Sequence, residues 1–367
     1  MKSRIWEPSL GFKDIWSVTK TMYTGEISGK THLNKVVEKQ LEKVFDLQNM
    51  SLCANGTIAC ELVFRTLEIG AGDIVIVPEM SYLSPINVMV ALGITPLMCP
   101  IDPGTLQIDV NRLIFIIESQ ISKIKAVFVV HNYGLCADMK RIRDICDLHE
   151  IILIEDCAEA ICSKSNGTAV GKLADAAVFS FFANKLITSG EGGAVAFRRL
   201  EDKQKADLIK NQYVIDKELL IHSGLGFNFR LSALNIALLS SQINKLAKIQ
   251  NKRKKIHIRY KQQLESGKIT FQIEDSHSNN LPWLFNVFFE DKQIKQNVMQ
   301  ALIKNGIECR SIFPSLAQHQ HLVKHIRGES TNSVFDKIES GLSLPSHSKL
   351  KKKEIDAICQ IVLNNIN

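Results

Sequence analysis

Between residues 74 and 154, short apolar runs rich in isoleucine and valine alternate with segments whose apolar positions fit a helix. Ile74 to Val77, Ile94 to Cys99, Ile124 to Val130 and Ile151 to Ile154 have strand length; Pro85 to Leu92, Val110 to Ser119 and Asp138 to His149 separate them. Parallel neighbours need a long crossover, and a helical crossover covers a face of the sheet, so this alternation predicts a mostly parallel sheet flanked by helices. Ala176 to Phe181 and Gly193 to Phe197 read as two further strands of that sheet, with a polar, glycine-bearing loop between them. Ligands of such sheets bind at the strand ends and the loops that leave them.

An amphipathic helix from Asn34 to Leu47, with Val37, Leu41, Val44 and Phe45 at helical spacing, precedes this region. A long helix pattern runs from Ser232 through Tyr260 into a more polar remainder, with a strand near Trp283 to Phe289 and a final helix from Lys353 to Leu363. The 367 residues exceed one small core. The expected division is a large domain over 1–247 and a smaller C-terminal α+β domain over 248–367, with the boundary near Ala247.

The nine cysteines are scattered and free of any CxxC spacing, which argues against zinc and against a disulfide framework. Met1 to Leu10 lacks the apolar centre of a secretory leader and the apolar runs are too short to span a bilayer, so a cytoplasmic location with no membrane partner is expected. The net charge of +7 is helped by Lys252, Arg253, Lys254 and Lys255, inside a basic stretch from Lys245 to Lys261 whose one aromatic ring is Tyr260. That pattern predicts a solvated helix face rather than a nucleic-acid surface.

Three segments carry chemistry. Cys53-Ala-Asn-Gly-Thr57 leads into a helix reaching about Ile69, and a glycine and a hydroxyl at a helix N-terminus suit an anion, although a plain capping turn has the same appearance. Ile154-Glu-Asp-Cys-Ala-Glu159 ends a buried strand with Asp156 and Glu159, carboxylates that need a facing cation or donor; a helix cap and a metal-binding aspartate are the other readings. Phe179-Ser-Phe-Phe-Ala-Asn-Lys185, followed by Ser189-Gly-Glu-Gly-Gly193, places Ser180 and Lys185 on a strand-to-loop exit. A lysine in a partly desolvated pocket can attack an aldehyde, whereas a lone loop lysine is ordinarily a solvated charge. Together the segments offer a phosphate cradle, a carboxylate for a pyridinium and an amine for an aldehyde, which are the three handles of pyridoxal 5'-phosphate (PLP).

On these segments, and on Val130-His-Asn-Tyr-Gly134 and Gly226-Phe-Asn-Phe-Arg-Leu-Ser232, the chain resembles the DegT/DnrJ/EryC1/StrS family of PLP-dependent sugar aminotransferases. The likeness runs from Thr24-Gly-Glu-Ile-Ser28 to Gly341-Leu-Ser-Leu-Pro345. It implies the type I aminotransferase fold, α/β in its large domain. It also implies that Gly56, Thr57 and Ser180 hold the cofactor phosphate, that Tyr82 stacks on the pyridine ring and that Asp156 pairs with the ring nitrogen. Glu159 would lie near the ring hydroxyl or the substrate, and Lys185 would bond to the aldehyde. Asn228 would reach the phosphate in a neighbouring subunit, so the resemblance implies a homodimer with shared active sites.

Within the family, Ser-Phe-Phe-Ala-Asn-Lys and Glu-Asp-Cys-Ala-Glu-Ala are most similar to the branch that aminates GDP-4-keto-6-deoxymannose, with glutamate as donor. Two stretches depart from the family pattern. Pro85 in Ser81-Tyr-Leu-Ser-Pro-Ile-Asn87 stands where a hydroxyl is common, and Phe313-Pro-Ser-Leu-Ala-Gln-His319 is looser than the usual aromatic-Pro-x-His region. Lysine at 185 argues against the dehydratase branch, where a histidine takes that place. The remaining alternatives are another nucleotide-linked keto sugar, a free keto sugar or cyclitol, and a non-catalytic protein that binds PLP or a sugar nucleotide.

Overall fold

The computed structural model describes residues 2–120, 124–216, 218–219, 221–274, 278–279, 283–328 and 330–366. Seven strands form its main sheet: β1 (Met50–Cys53), β2 (Ile74–Pro78), β3 (Thr95–Cys99), β4 (Ile124–Val130), β5 (Ile152–Asp156), β6 (Ala176–Ser180) and β7 (Gly193–Phe197). They lie in the order β1-β7-β6-β5-β4-β2-β3. β2 through β6 pair in parallel, and β7 runs antiparallel to both its neighbours.

Because strand side chains alternate in direction, the apolar runs supply two faces at once. Val75, Val77, Phe128, Ile154 and Val178 face one core, together with Leu62 and Val63 of the helix Gly56–Thr66. Ile74, Ile76, Val127, Val129 and Leu153 face the other, against the helices Val110–Gln120 and Met139–Leu148. Burial on both faces is why these strands read as continuous apolar runs.

Some elements escape the sequence pattern, among them one strand of the main sheet and a helix beside it. β1 is four buried residues, Met-Ser-Leu-Cys, too short for a period to show, and the helix Leu200–Lys210 has only weak amphipathic character. One expectation is corrected. The pattern from Ser232 through Tyr260 is two helices, Ala233–Ile243 and Leu246–Leu264. The first packs Ile236, Leu239 and Ile243 into the main-sheet core; the second adds Leu246 and Ile249 to it and then carries Ile256, Tyr260 and Leu264 into a different core. Lys245 pins the break, donating to the Ser9 carbonyl at 2.9 Å and pairing with the Asp14 carboxylate.

The second core lies on a four-stranded antiparallel sheet, Thr270–Phe271, Phe285–Phe288, Gly341–Leu344 and Arg310–Ser311, backed by the helices Lys292–Lys304 and Lys352–Leu363. The boundary expected near Ala247 falls in the first turn of Leu246–Leu264, the helix that enters both cores. Residues at the N-terminus also join the second unit, where Ser3 donates its N–H to Gly306 at 3.0 Å. The basic run is likewise not wholly a solvated face: Lys252, Lys254 and Lys255 are exposed, but Arg253 is buried. Its guanidinium donates to the Trp283 carbonyl at 2.6 Å.

Candidate active site

Strand parity brings the expected residues together. Asp156 follows Ile154 on β5 and Ser180 follows Val178 on β6, so both point to the face covered by the helix Gly56–Thr66, at the carboxyl ends of neighbouring parallel strands. Between them lies a cavity of about 460 Å³ lined by Gly56, Thr57, Tyr82, Asp156, Glu159, Ser180 and Lys185 among others. A hollow of about 520 Å³ at another place is walled by charges that neutralise one another, such as Arg143 with Asp147 at 2.7 Å and with Asp175 at 3.0 Å, and offers no reactive group.

Asn55 caps the helix by accepting the Ile58 N–H at 2.9 Å, which contributes about 1 kcal/mol. The N–H groups of Gly56 and Thr57 lie in the first turn, where no helical carbonyl reaches them. A Cβ added at Gly56 would stand 3.0 Å from Cβ of Ser180, and one added at Gly193 would meet the Asn55 carbonyl at 2.4 Å. The turn therefore packs against the ends of β6 and β7 only because both positions are glycine. Thr57 Oγ1 and Ser84 Oγ are 2.5 Å apart. Pro85 sits in the first turn of the helix Ser84–Ala91, so Ser84 brings a hydroxyl to the cradle beside the position where the pattern lacks one. This cradle fits a phosphate.

Deeper in the cavity, Asp156 accepts the Ala158 N–H at 2.9 Å. Burial holds its carboxyl above the usual range, while Ala158, Lys185 and His131 pull the other way. An acid in that state is stabilised in its ionised form by a nearby cation. Lys185, with 11% of its side chain exposed, lies 3.6 Å from Glu159 Oε1. Burial pushes Glu159 up to about 7, against the pull of the Lys185 ammonium and of the Tyr133 N–H, which donates to Oε2 at 2.9 Å. The cavity thus presents an amine, a buried carboxyl and a free helix N-terminus, the chemistries that the aldehyde, ring-nitrogen and phosphate handles of PLP require.

The native chain consequently binds Glu159's proton between 4.5, its ordinary value, and about 7. In that window the contribution of this group to stability falls as pH rises, because the unfolded state has already released the proton. Relative to Glu159→Gln, the wild-type protein is expected to lose on the order of 1 kcal/mol per pH unit across the window. Urea midpoints measured from about pH 5 to about pH 8 check this, and parallel curves for the two proteins would contradict the burial of the carboxyl.

Trp283, which lines the cavity, and Tyr133, which stands behind it, were not expected to carry chemistry. Trp283 lays its ring under Lys185 Nζ, 4.3 Å from the centroid, and the rings of Trp283, Tyr133 and Phe313 form a mutual cluster, each within 6.4 Å of the other two. Tyr133 holds a left-handed backbone, φ 59, uncommon for a residue with a side chain. Its hydroxyl accepts the Phe313 N–H at 2.8 Å, tying the second unit to the cavity wall. Tyr82 is 63% exposed at the mouth, 6.0 Å from the Phe313 ring. Asn228 alone among the expected residues does not line the cavity: it is exposed, on a segment bridged to Asn211. His131 and Glu155, buried on the opposite face of the sheet from Asp156, pair at 2.9 Å, and Glu155 also accepts the Gly171 N–H at 2.7 Å.

The model of the DegT/DnrJ/EryC1/StrS aminotransferase family matches residues 9–363. The GDP-perosamine synthase of Vibrio cholerae is 30% identical to the chain, covering 99% of each protein. The UDP-N-acetyl-3-dehydro-alpha-D-glucosamine 3-aminotransferase of Acidithiobacillus ferrooxidans is 29% identical, over 86% of this chain and 84% of its own length. Among solved structures, the aminotransferase TlmJ from Streptoalloteichus hindustanus superposes with a TM-score of 0.93 over 100% of this chain and 99% of its own, at 22% identity. No helix among the described residues is long and apolar enough to cross a membrane.

Proposed function

Since the chain belongs to the DegT/DnrJ/EryC1/StrS aminotransferase family and is a PLP-dependent sugar aminotransferase, we propose that it transfers an amino group from glutamate to the keto carbon of GDP-4-keto-6-deoxymannose. The observation that carries the reading is the convergence of Asp156, Lys185 and the Gly56 helix N-terminus on one cavity. Bound PLP supplies an electron sink for a carbanion. Gly56, Thr57 and Ser180 would hold its phosphate, and Tyr82, at the mouth of the cavity, would lie against the ring. Asp156 would keep a proton on the ring nitrogen, which the sink requires. Lys185 would hold the cofactor aldehyde and, as a free amine, would move the proton at the reacting carbon. Glu159 Oε1 lies 3.6 Å from that amine, and would meet the ring hydroxyl or the substrate.

The whole-length match to a GDP-perosamine synthase supports the GDP-linked sugar. A second reading, another nucleotide-linked keto sugar, is favoured by the similar identity of the UDP-linked aminotransferase. Incubation with glutamate, PLP and GDP-, dTDP- or UDP-linked keto sugars, followed by mass spectrometry, separates them. An amino sugar from the GDP substrate alone is expected; product only from another nucleotide would replace the substrate, and no product from any would remove the reading.

The homodimer is part of the proposal. Phe12, Ile15, Trp16, Met22 and Tyr23 leave a broad apolar surface on the first helix, Phe12–Thr24, and Ile215, Ile221 and Leu225 leave another around the hairpin Val214–Asp216/Ile221–His222. Exposed apolar area of this extent suits a second copy. Asn228 lies just beyond the hairpin, exposed and away from its own cavity, which supports the reading that it serves the partner's site.

A further inference from the structure

Trp283 was not among the residues expected to carry chemistry, yet it is the most constrained side chain beside Lys185. It is buried. Its backbone N–H donates to the Tyr133 carbonyl at 3.1 Å, its carbonyl accepts the buried Arg253 guanidinium at 2.6 Å, and its indole N–H donates to the Asn184 carbonyl at 2.9 Å. The last bond reaches the residue immediately before Lys185. With the backbone fixed on both sides and the ring fixed at its edge, the indole face is left under Lys185 Nζ at 4.3 Å. The ring also packs against Tyr133, 6.2 Å away with ring planes at 19°, and against Phe313 at 6.4 Å.

We infer that Trp283 is a positioning residue for Lys185, giving the protonated amine a fixed resting place between the indole face and Glu159. An aromatic face attracts a cation through its quadrupole, most strongly for tryptophan and more so where water is excluded. Glu159 attracts the same amine only while ionised, and its carboxyl titrates close to neutrality. The ring carries no titrating proton, so it holds the ammonium on both sides of that transition. Bonding to an aldehyde requires the neutral amine, so the lysine leaves this resting place when it joins the cofactor and returns when displaced. That sequence rests on the proposed function; the resting place does not.

The test uses the full cofactor-free chain. Lys185 is pulse-labelled with acetic anhydride across a pH series, and the labelled peptide is quantified by mass spectrometry. The plateau of the profile reports access to the amine and its midpoint reports the preference for the charged form. Trp283→Leu is expected to lower the midpoint, giving about three- to tenfold more labelling on the rising limb. Trp283→Phe, which keeps a weaker face, is expected to fall between it and wild type, and decides the matter if the leucine variant does not fold. A midpoint equal to wild type in the folded variants overturns the inference, whatever the plateau does. A separate arm treats wild-type protein with PLP and borohydride. A missing pyridoxyl mark on Lys185 there sinks the proposed function and leaves the labelling result standing.

Discussion

Replacing Lys185 with alanine is expected to lower kcat for amino transfer roughly ten-thousand-fold or more, because one side chain performs two tasks. In the proposed function it would hold the cofactor aldehyde and, once displaced, would serve as the base for the reacting carbon. The surroundings are built around an amine: Glu159 at 3.6 Å, the Trp283 ring at 4.3 Å, and a turn in which the Lys185 N–H donates to the Phe182 carbonyl at 2.9 Å. The turn uses no side-chain atom of Lys185, so the alanine variant keeps it and should fold. Lys185→Arg is the sharper comparison. A guanidinium retains the charge that Glu159 and Trp283 meet but cannot bond an aldehyde or act as a base near neutral pH, so it should be as inactive as alanine. Steady-state rates, with the mass of the Lys185 peptide after borohydride treatment, check this. Activity in either variant, or the cofactor on a different lysine, would refute the assignment. If sites are shared, mixing Lys185→Ala with Asn228→Ala subunits should restore part of the activity, since one of the two sites in a mixed dimer is then intact.

Most of this architecture is legible in the chain for a definable reason. β2, β4 and β5 are buried on both faces, and continuous Ile/Val runs are the residue pattern that such burial demands. The site residues in the chain's own cavity were legible because strand ends, helix starts and glycines leave local marks: Asp156 closes an apolar run, Gly56 opens a helix, and Ser180 and Lys185 straddle a strand exit. Trp283 left none, and Tyr133, although inside the motif Val130-His-Asn-Tyr-Gly134, left nothing that names its contacts. Their roles depend on a contact between the two sheets, and local periodicity carries no information about which distant segment lands on a given loop. Arg253 misled for the same reason. A run of four basic residues looks like a solvated face, and only the tertiary position of Trp283 gives one of them an internal acceptor. The break at Asn244–Lys245 escaped because both halves keep a helical period and the apolar residues on either side of it serve the same core.

Asp156→Asn tests the electronic half of the site and separates catalysis from stability. In the cofactor-free chain burial disfavours the ionised carboxyl, with Ala158, Lys185 and His131 offsetting part of that effect. A neutral amide of the same shape removes the desolvation cost and can still accept the Ala158 N–H, so the thermal midpoint of the cofactor-free variant near pH 8 should equal or exceed that of wild type. Turnover should move the opposite way. The carboxylate holds a proton on the ring nitrogen, and an amide in a water-poor site does not, so electrons released at the substrate carbon lose their sink. Loss of a charge-assisted interaction of this kind lowers kcat by roughly a hundred- to a thousandfold. Capture of PLP by Lys185 should persist, since the amine and the phosphate cradle are untouched. Single-turnover reaction with glutamate, followed by the change in cofactor absorbance, measures the first effect, and retention of cofactor after gel filtration measures the second. Wild-type single-turnover rates would remove Asp156 from the chemistry. A large fall in the thermal midpoint would make it a structural residue, because the destabilisation predicted by its burial belongs to the charge and not to the side chain's shape.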